Sequence, residues 1–178
     1  MILFRHADPR RPFFWESAAQ PPGRWHAEGE GPVQYLADTP DGAWAEFIRH
    51  EEISDPEDLA GVERTLWAVE IDDAGPGRPR LPMKTLTGGR DTYERCQQEA
   101  RRLRRAGADR LAAPCAALVN GTPSGWRTDG GLIEGDAREE RTWALFGRFP
   151  RVVAWVAGES ARPRRDLLSR VNHFLTRG

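Results

Sequence analysis

A fold for this chain has to accommodate residues 8–32, a proline-rich and aromatic stretch lying between a strand candidate at Ile2–Arg5 and another at Val33–Ala37. Connections longer than about 12–15 residues with no secondary structure of their own are uncommon in compact domains, where they are either functional or disordered. Phe13, Phe14, Trp15 and Trp25 lie within this one, and disordered segments are poor in aromatic residues. The stretch is therefore expected to be ordered and to fold over a site.

Downstream, Thr39-Pro40-Asp41 opens a helix, with Thr39 as N-cap and Pro40 at the first helical position, running to about His50. Ala43, Trp44, Phe47 and Ile48 form its apolar face, which puts Glu46 on the flank of that face. Val62–Asp72 reads as a core strand ending before the loop at Gly75-Pro76-Gly77. Asp91–Ala106 reads as a helix closed by Gly107; Tyr93, Cys96, Ala100 and Leu103 make its buried stripe, and Arg101, Arg102, Arg104 and Arg105 its solvated face. Short strands follow at Arg110–Ala113, Arg141–Phe146 and Arg151–Val156. A last helix is expected from Pro163 to about Leu175, its apolar face of Leu167, Leu168, Val171, Phe174 and Leu175 suited to its own core or to a second subunit of a homodimer. Strands and helices do not alternate as βαβ units, so the predicted class is α+β: one domain, residues 1–178, with a curved, mostly antiparallel sheet and flanking helices.

Composition closes off several classes. No run approaches the roughly 20 apolar residues of a membrane-spanning helix. The net charge of -1 offers no field for direct nucleic-acid binding, although of 26 Lys and Arg residues only Lys84 is lysine. The start, MILFRHADPRR, puts its apolar run before its charges, the reverse of a secretory signal, so a cytoplasmic location is expected. Cys96 and Cys115 are too few for a disulfide framework and are expected as free thiols. His26-Ala27-Glu28 and Pro114-Cys115 match half of the zinc deaminase pattern, but Leu118 stands where the second cysteine would be, and no metal is expected.

Between Gly23 and His50 three residues carry chemistry: an arginine in a loop, a tyrosine on a strand and a glutamate on a helix. Singly, each has an ordinary explanation. Arg24 could pair with Glu28 or Glu30, Tyr35 could be a core residue with its hydroxyl at the rim, and Glu46 could pair with Arg49 or His50 on the surface. In order, however, Arg5, Gly23-Arg24-Trp25, Tyr35-Leu36-Ala37, and Ala43 with Glu46 resemble the RES domain. Ala106-Gly107-Ala108-Asp109-Arg110-Leu111 with Pro114-Cys115-Ala116 is similar to a later block of that family. The chain departs from the family pattern at Cys115, where serine is common, and at His6, where an aromatic residue is frequent. Cysteine keeps the size of serine but is a poorer donor, and Cys115 reads equally as a small buried core residue.

The resemblance implies an ADP-ribosyltransferase-like architecture whose cleft binds NAD as a substrate, without a resident cofactor, and cleaves its nicotinamide–ribose bond. It implies Glu46, Tyr35 and Arg5 as catalytic residues, with Arg24, Arg5, Tyr35 and Cys115 binding the dinucleotide. It also implies a toxin partnered by a helix-turn-helix antitoxin. The residues leave the acceptor open among water, phosphate and protein. A non-catalytic nucleotide-binding module and a protein ADP-ribosyltransferase stand as alternatives.

Overall fold

The computed structural model describes residues 1–72, 75–119, 121 and 123–174. In chain order its elements are β1 (Ile2–Ala7), β2 (Val33–Ala37), α1 (Pro40–His50), β3 (Arg64–Glu70), α2 (Met83–Leu86), α3 (Tyr93–Arg105), β4 (Arg110–Pro114), β5 (Ser124–Thr128), β6 (Leu132–Ala137), β7 (Arg141–Phe146) and β8 (Val153–Ala161). Six strands form one sheet in the order β4-β7-β2-β1-β3-β8, antiparallel at every join, and β5 and β6 pair as a separate hairpin. The fold is α+β with a mostly antiparallel sheet and flanking helices, as the irregular order of strand and helix signals implies. Among the described residues no helix is long and apolar enough to cross a membrane.

Strand alternation divides the core between the two faces of the sheet. One face carries α1, through Trp44, Phe47 and Ile48 against Ala37, Leu66 and Leu118, and α3, through Cys96, Ala100 and Leu103 against Val33, Leu111 and Ala144. The other carries Leu3, Leu36, Val69, Trp143 and Leu145. Residues 8–32 serve both: Phe13 and Phe14 pack on the second face, whereas Trp25, 1% exposed, is buried on the first with α3.

Two glutamines hold this connection to β2. Gln34 accepts from the backbone N–H of Trp15 at 2.8 Å and donates to its carbonyl at 2.8 Å. Gln20 does the same for Val33, accepting at 2.7 Å and donating at 2.9 Å. Each primary amide replaces the two hydrogen bonds a neighbouring strand would supply, which keeps buried backbone satisfied without regular structure.

α1 begins as its sequence predicts. Thr39 is extended, its Oγ1 accepts from the Gly42 N–H at 3.0 Å, and Pro40 follows. Glu140 backs the cap, taking the Thr39 N–H at 3.0 Å and its hydroxyl at 2.5 Å. Burial, with Asp38 beside it, pushes the Glu140 carboxyl up to about 9.

The expected C-terminal helix is not formed. Residues 165–170 make a 3-10 turn, and the chain then runs extended beside residues 117–119, where Asn172 N donates to Ala117 O at 2.8 Å and Val119 N to Arg170 O at 2.9 Å. These lateral bonds use the groups an α-helix would need for its own ladder. Leu167 and Val171 are buried against α1 within the chain, so this face packs on its own core; Leu175 lies outside the described residues. The β5–β6 hairpin was not anticipated, and β8 extends beyond the expected Val156 to Ala161.

Candidate active site

A cavity of about 350 Å³ opens on the helical face of the sheet. Arg5 and Tyr35 reach it from β1 and β2, Glu46, Arg49 and His50 from α1, Arg24 and its neighbours from the long connection, Tyr93 from α3 and Thr142 from β7. Residues 8–32 fold over this cavity, since Trp15, Gln20, Pro21, Pro22 and Gly23 also line it.

Glu46 projects from the flank of α1, and its carboxylate is held at both ends. Oε1 accepts from the Thr142 hydroxyl at 3.1 Å and faces the Cys115 thiol at 3.6 Å, while Oε2 lies 3.6 Å from Nε2 of His50. Cys115 is buried beneath the carboxylate and is not among the residues lining the cavity. Burial, reinforced by Glu46, pushes its thiol up, so it stays protonated and can donate. Burial pushes His50 down, which leaves it largely neutral beside Glu46.

Tyr35 explains why glycine precedes Arg24. Its hydroxyl accepts from the Trp25 N–H at 2.9 Å and lies 3.0 Å from Nδ1 of His26. Nε2 of His26 faces the Pro21 carbonyl at 3.0 Å and must carry the ring proton, so Nδ1 accepts and Tyr35 donates to it. A β-carbon on Gly23 would stand 2.7 Å from the Tyr35 hydroxyl, inside any real contact. Burial raises the phenol and lowers His26, so both members of this pair are neutral.

Three arginines surround the cavity in different states. Arg24 is turned toward the segment after α2, donating to Gly88 O at 2.6 Å, Thr92 Oγ1 at 3.2 Å and Thr85 O at 3.3 Å, with its plane 4.8 Å from the Tyr93 ring. Neither Glu28 nor Glu30 pairs with it; Glu30 takes Arg101 at 2.6 Å. Arg5 donates to Tyr35 O at 3.3 Å, and burial brings its guanidinium down to about 10, still charged at neutral pH. Arg49, 3% exposed, donates to Ala116 O and, at 2.9 Å, to the same Gly88 carbonyl that Arg24 uses. Its other side meets the Phe174 ring at 4.4 Å. The Nε donors of Arg5 and Arg49 are both buried without a partner among the described residues. A buried cation with an unmet N–H is costly; Arg64 has such a donor too, but Arg5 and Arg49 differ from it in lining the cavity.

His6 packs as an aromatic ring. Its ring stacks on Trp44 at 5.8 Å and meets Phe47 edge-on at 4.9 Å. Burial, then the charges of Arg64 and Arg5, hold it down at about 3, so it is a neutral ring at physiological pH.

Four of the five residues anticipated from sequence thus line one cavity, Arg5, Arg24, Tyr35 and Glu46, with Cys115 behind Glu46. Arg49, His50, Tyr93 and Thr142 were not anticipated. Arg49 had a usable signal, three positions after Glu46 and hence on the same helix face. Thr142 had none, because only the register Ala37↔Thr142 between β2 and β7 brings it there. Among the described residues no group of three or more His, Cys, Asp or Glu could hold a metal ion.

The family model described as the RES domain matches residues 2–161. No curated protein matches the sequence significantly. A chain of the crystal structure of the M. tuberculosis MbcT–MbcA toxin–antitoxin complex is similar in fold, with a TM-score of 0.58 at 15% identity over 94% of this chain and 86% of that one.

Proposed function

Because the chain belongs to the RES-domain family, we propose that it binds NAD in this cavity and cleaves the bond between nicotinamide and ribose. The observation that carries the proposal is the pair of buried arginines with unmet Nε donors, Arg5 and Arg49, lining the same cavity as a carboxylate fixed by Thr142. The cavity, about 350 Å³, falls in the range of roughly 300–1,000 Å³ usual for small-molecule sites.

In this reading Arg5, Arg49 and the adjoining Arg24 receive the pyrophosphate through charge-assisted hydrogen bonds. The C1′–N1 bond breaks with its electron pair passing to the pyridinium nitrogen, so nicotinamide leaves neutral and the ribose becomes an oxocarbenium ion. Glu46, held by Thr142 and Cys115, opposes that positive charge and accepts a ribose hydroxyl. Tyr35, its hydroxyl committed to Trp25 and His26, presents its ring to the nicotinamide or ribose. An acceptor oxygen then bonds to C1′ and, when it is water, gives up a proton. Cys115 acts through Glu46 rather than on the ligand.

The chain similar in fold comes from a toxin–antitoxin complex. We carry that over as a second part of the proposal: a cytoplasmic toxin held in check by a helix-turn-helix antitoxin. The test is product analysis after incubation with NAD. Free nicotinamide with soluble ADP-ribose or its phosphate is the expected result. Label transferred to protein would favour a protein ADP-ribosyltransferase, and binding without turnover a nucleotide-binding module. Glu46→Gln should retain NAD binding by calorimetry while nicotinamide release falls on the order of a hundredfold or more.

A further inference from the structure

The long connection between β1 and β2 uses its aromatic residues unequally. Phe13 and Phe14 lie 4.7 Å apart and Phe13 meets the Trp67 ring at 5.3 Å, so both belong to the core of the second face. Trp25 is buried outright. Trp15 is 42% exposed and lines the cavity. The other exposed large apolar side chains among the described residues, Trp126 and Trp155 included, are not among those lining it.

An exposed side chain on an irregular segment is ordinarily mobile. Trp15 is fixed instead. Its N–H and its carbonyl both bond to the Gln34 amide at 2.8 Å, and the next carbonyl, that of Glu16, accepts from Arg148 Nε at 2.8 Å. These bonds tie the residue to β2 and to the connection after β7 without using the indole. The fold thus holds a flat apolar face at the cavity and leaves it wet, which is unfavourable until a flat group covers it.

The order of groups along β2 says what that group is. Trp15 is anchored at Gln34. Arg5 donates to the Tyr35 carbonyl, one residue further on. Ala37 pairs with Thr142, whose hydroxyl holds Glu46. The anchors at Gln34 and Ala37 are three residues apart, roughly 10 Å at about 3.3 Å per strand residue. An aromatic face, a guanidinium and a carboxylate therefore follow one another, with the cation in the middle. A dinucleotide presents their complements in the same order: a base, a pyrophosphate, and the ribose whose bond to nicotinamide is broken.

We propose that Trp15 is the adenine platform of the site, stacking on the base at the end of the cavity away from Glu46 and so selecting a dinucleotide over nicotinamide mononucleotide. The proposal rests on the reading of the cavity as an NAD site. Trp15 takes no part in breaking the bond; it sets which substrate is held for Glu46.

Nicotinamide release from NAD and from nicotinamide mononucleotide, which lacks the adenosine half, tests it, together with calorimetry of ADP, which carries adenine and pyrophosphate and needs no turnover. Trp15→Ala should lower kcat/KM for NAD on the order of tenfold, the effect of removing one base–aromatic stack, and do so through KM. It should weaken ADP binding by a similar factor and leave kcat/KM for the mononucleotide unchanged. Trp15→Tyr keeps a flat ring and should retain most of the affinity. Both variants should melt as the parent does, because the backbone bonds to Gln34 remain. A Trp15→Ala protein that loses rate equally on both substrates places Trp15 against the nicotinamide half or in the general fold, and one that binds NAD and ADP as the parent does removes it from the site; either result overturns the proposal. So does a parent chain that does not bind ADP. ADP binding that depends on Trp15, without nicotinamide release from either substrate, upholds the platform and refutes the cleavage reading instead.

Discussion

Replacing Thr142 with valine isolates the hydrogen bond that fixes Glu46. The two side chains have the same shape, and valine suits a central strand such as β7, so packing around this buried position is preserved. What is lost is the 3.1 Å hydroxyl donor to Oε1, leaving the Cys115 thiol at 3.6 Å as the donor on that oxygen. A hydrogen bond to a charged group contributes about 1.5–3 kcal/mol. The Glu46 side chain is 26% exposed, so water compensates in part and the lower end, about 1.5 kcal/mol, is the appropriate figure. If the bond positions the carboxylate for the transition state, kcat for nicotinamide release falls about tenfold with KM little changed. Thr142→Ser keeps the hydroxyl and loses a methyl group, so it should retain kcat while melting at a lower temperature. The assay is steady-state nicotinamide release by chromatography, with thermal melting on the same preparations. A folded Thr142→Val protein with unaltered kcat, or a serine variant as slow as the valine one, would refute the positioning argument.

Three further outcomes are expected. Cys115→Ser replaces a weak donor to Glu46 with a stronger one and should preserve or raise nicotinamide release; a fall in melting temperature with no change in rate would assign Cys115 to packing alone. Gly23→Ala forces a methyl group against the Tyr35 hydroxyl, and should cost about 1–3 kcal/mol in denaturant unfolding; unchanged stability would mean that the Tyr35–His26 pair is not fixed as described. His6 titrates near 3 when folded and near 6.5 when unfolded, so between these values the unfolded chain binds more protons and stability is lost as pH falls. His6→Phe should therefore gain about 2 kcal/mol over the parent at pH 5 relative to their difference at pH 8, and parallel pH–stability curves would contradict the burial of a neutral ring.

The parts of this fold legible in the sequence were those decided locally. α1 was readable because Thr39, Pro40 and the spacing of Trp44, Phe47 and Ile48 fix its start and its buried face within a few residues. The order of strand and helix signals was enough for an α+β sheet. The C-terminal segment misled because its apolar spacing fits a helix, whereas the bonds that decide it come from residues 117–119, far away in sequence. The hairpin lacked an alternating apolar pattern, and its Trp126 and Leu132 are exposed. At the site, Glu46 and Tyr35 stood out through motif order, whereas Thr142 depends on strand register and Arg49 was hidden by an equally good surface pairing.

The Arg24 geometry revises the division of labour among the arginines. Read from sequence, Arg24 is a ligand clamp; in the fold, much of its donor capacity goes to Gly88, Thr85 and Thr92, and its face rests on Tyr93. Arg49 shares the Gly88 carbonyl with it, so one backbone oxygen ties a residue of the long connection to a residue of α1. Phe174 then lies between Arg49, at 4.4 Å, and Arg90, at 4.6 Å, and edge-on to His50 at 5.4 Å. The positive charge of Arg24 and Arg49 is therefore held by carbonyls and aromatic faces. Carbonyls and ring faces stabilise a guanidinium without cancelling its charge. A carboxylate partner would compete with an anionic ligand for the same fork, whereas Glu46, which lines the cavity together with Arg5 and Arg49, is engaged with its own neighbours Thr142, Cys115 and His50.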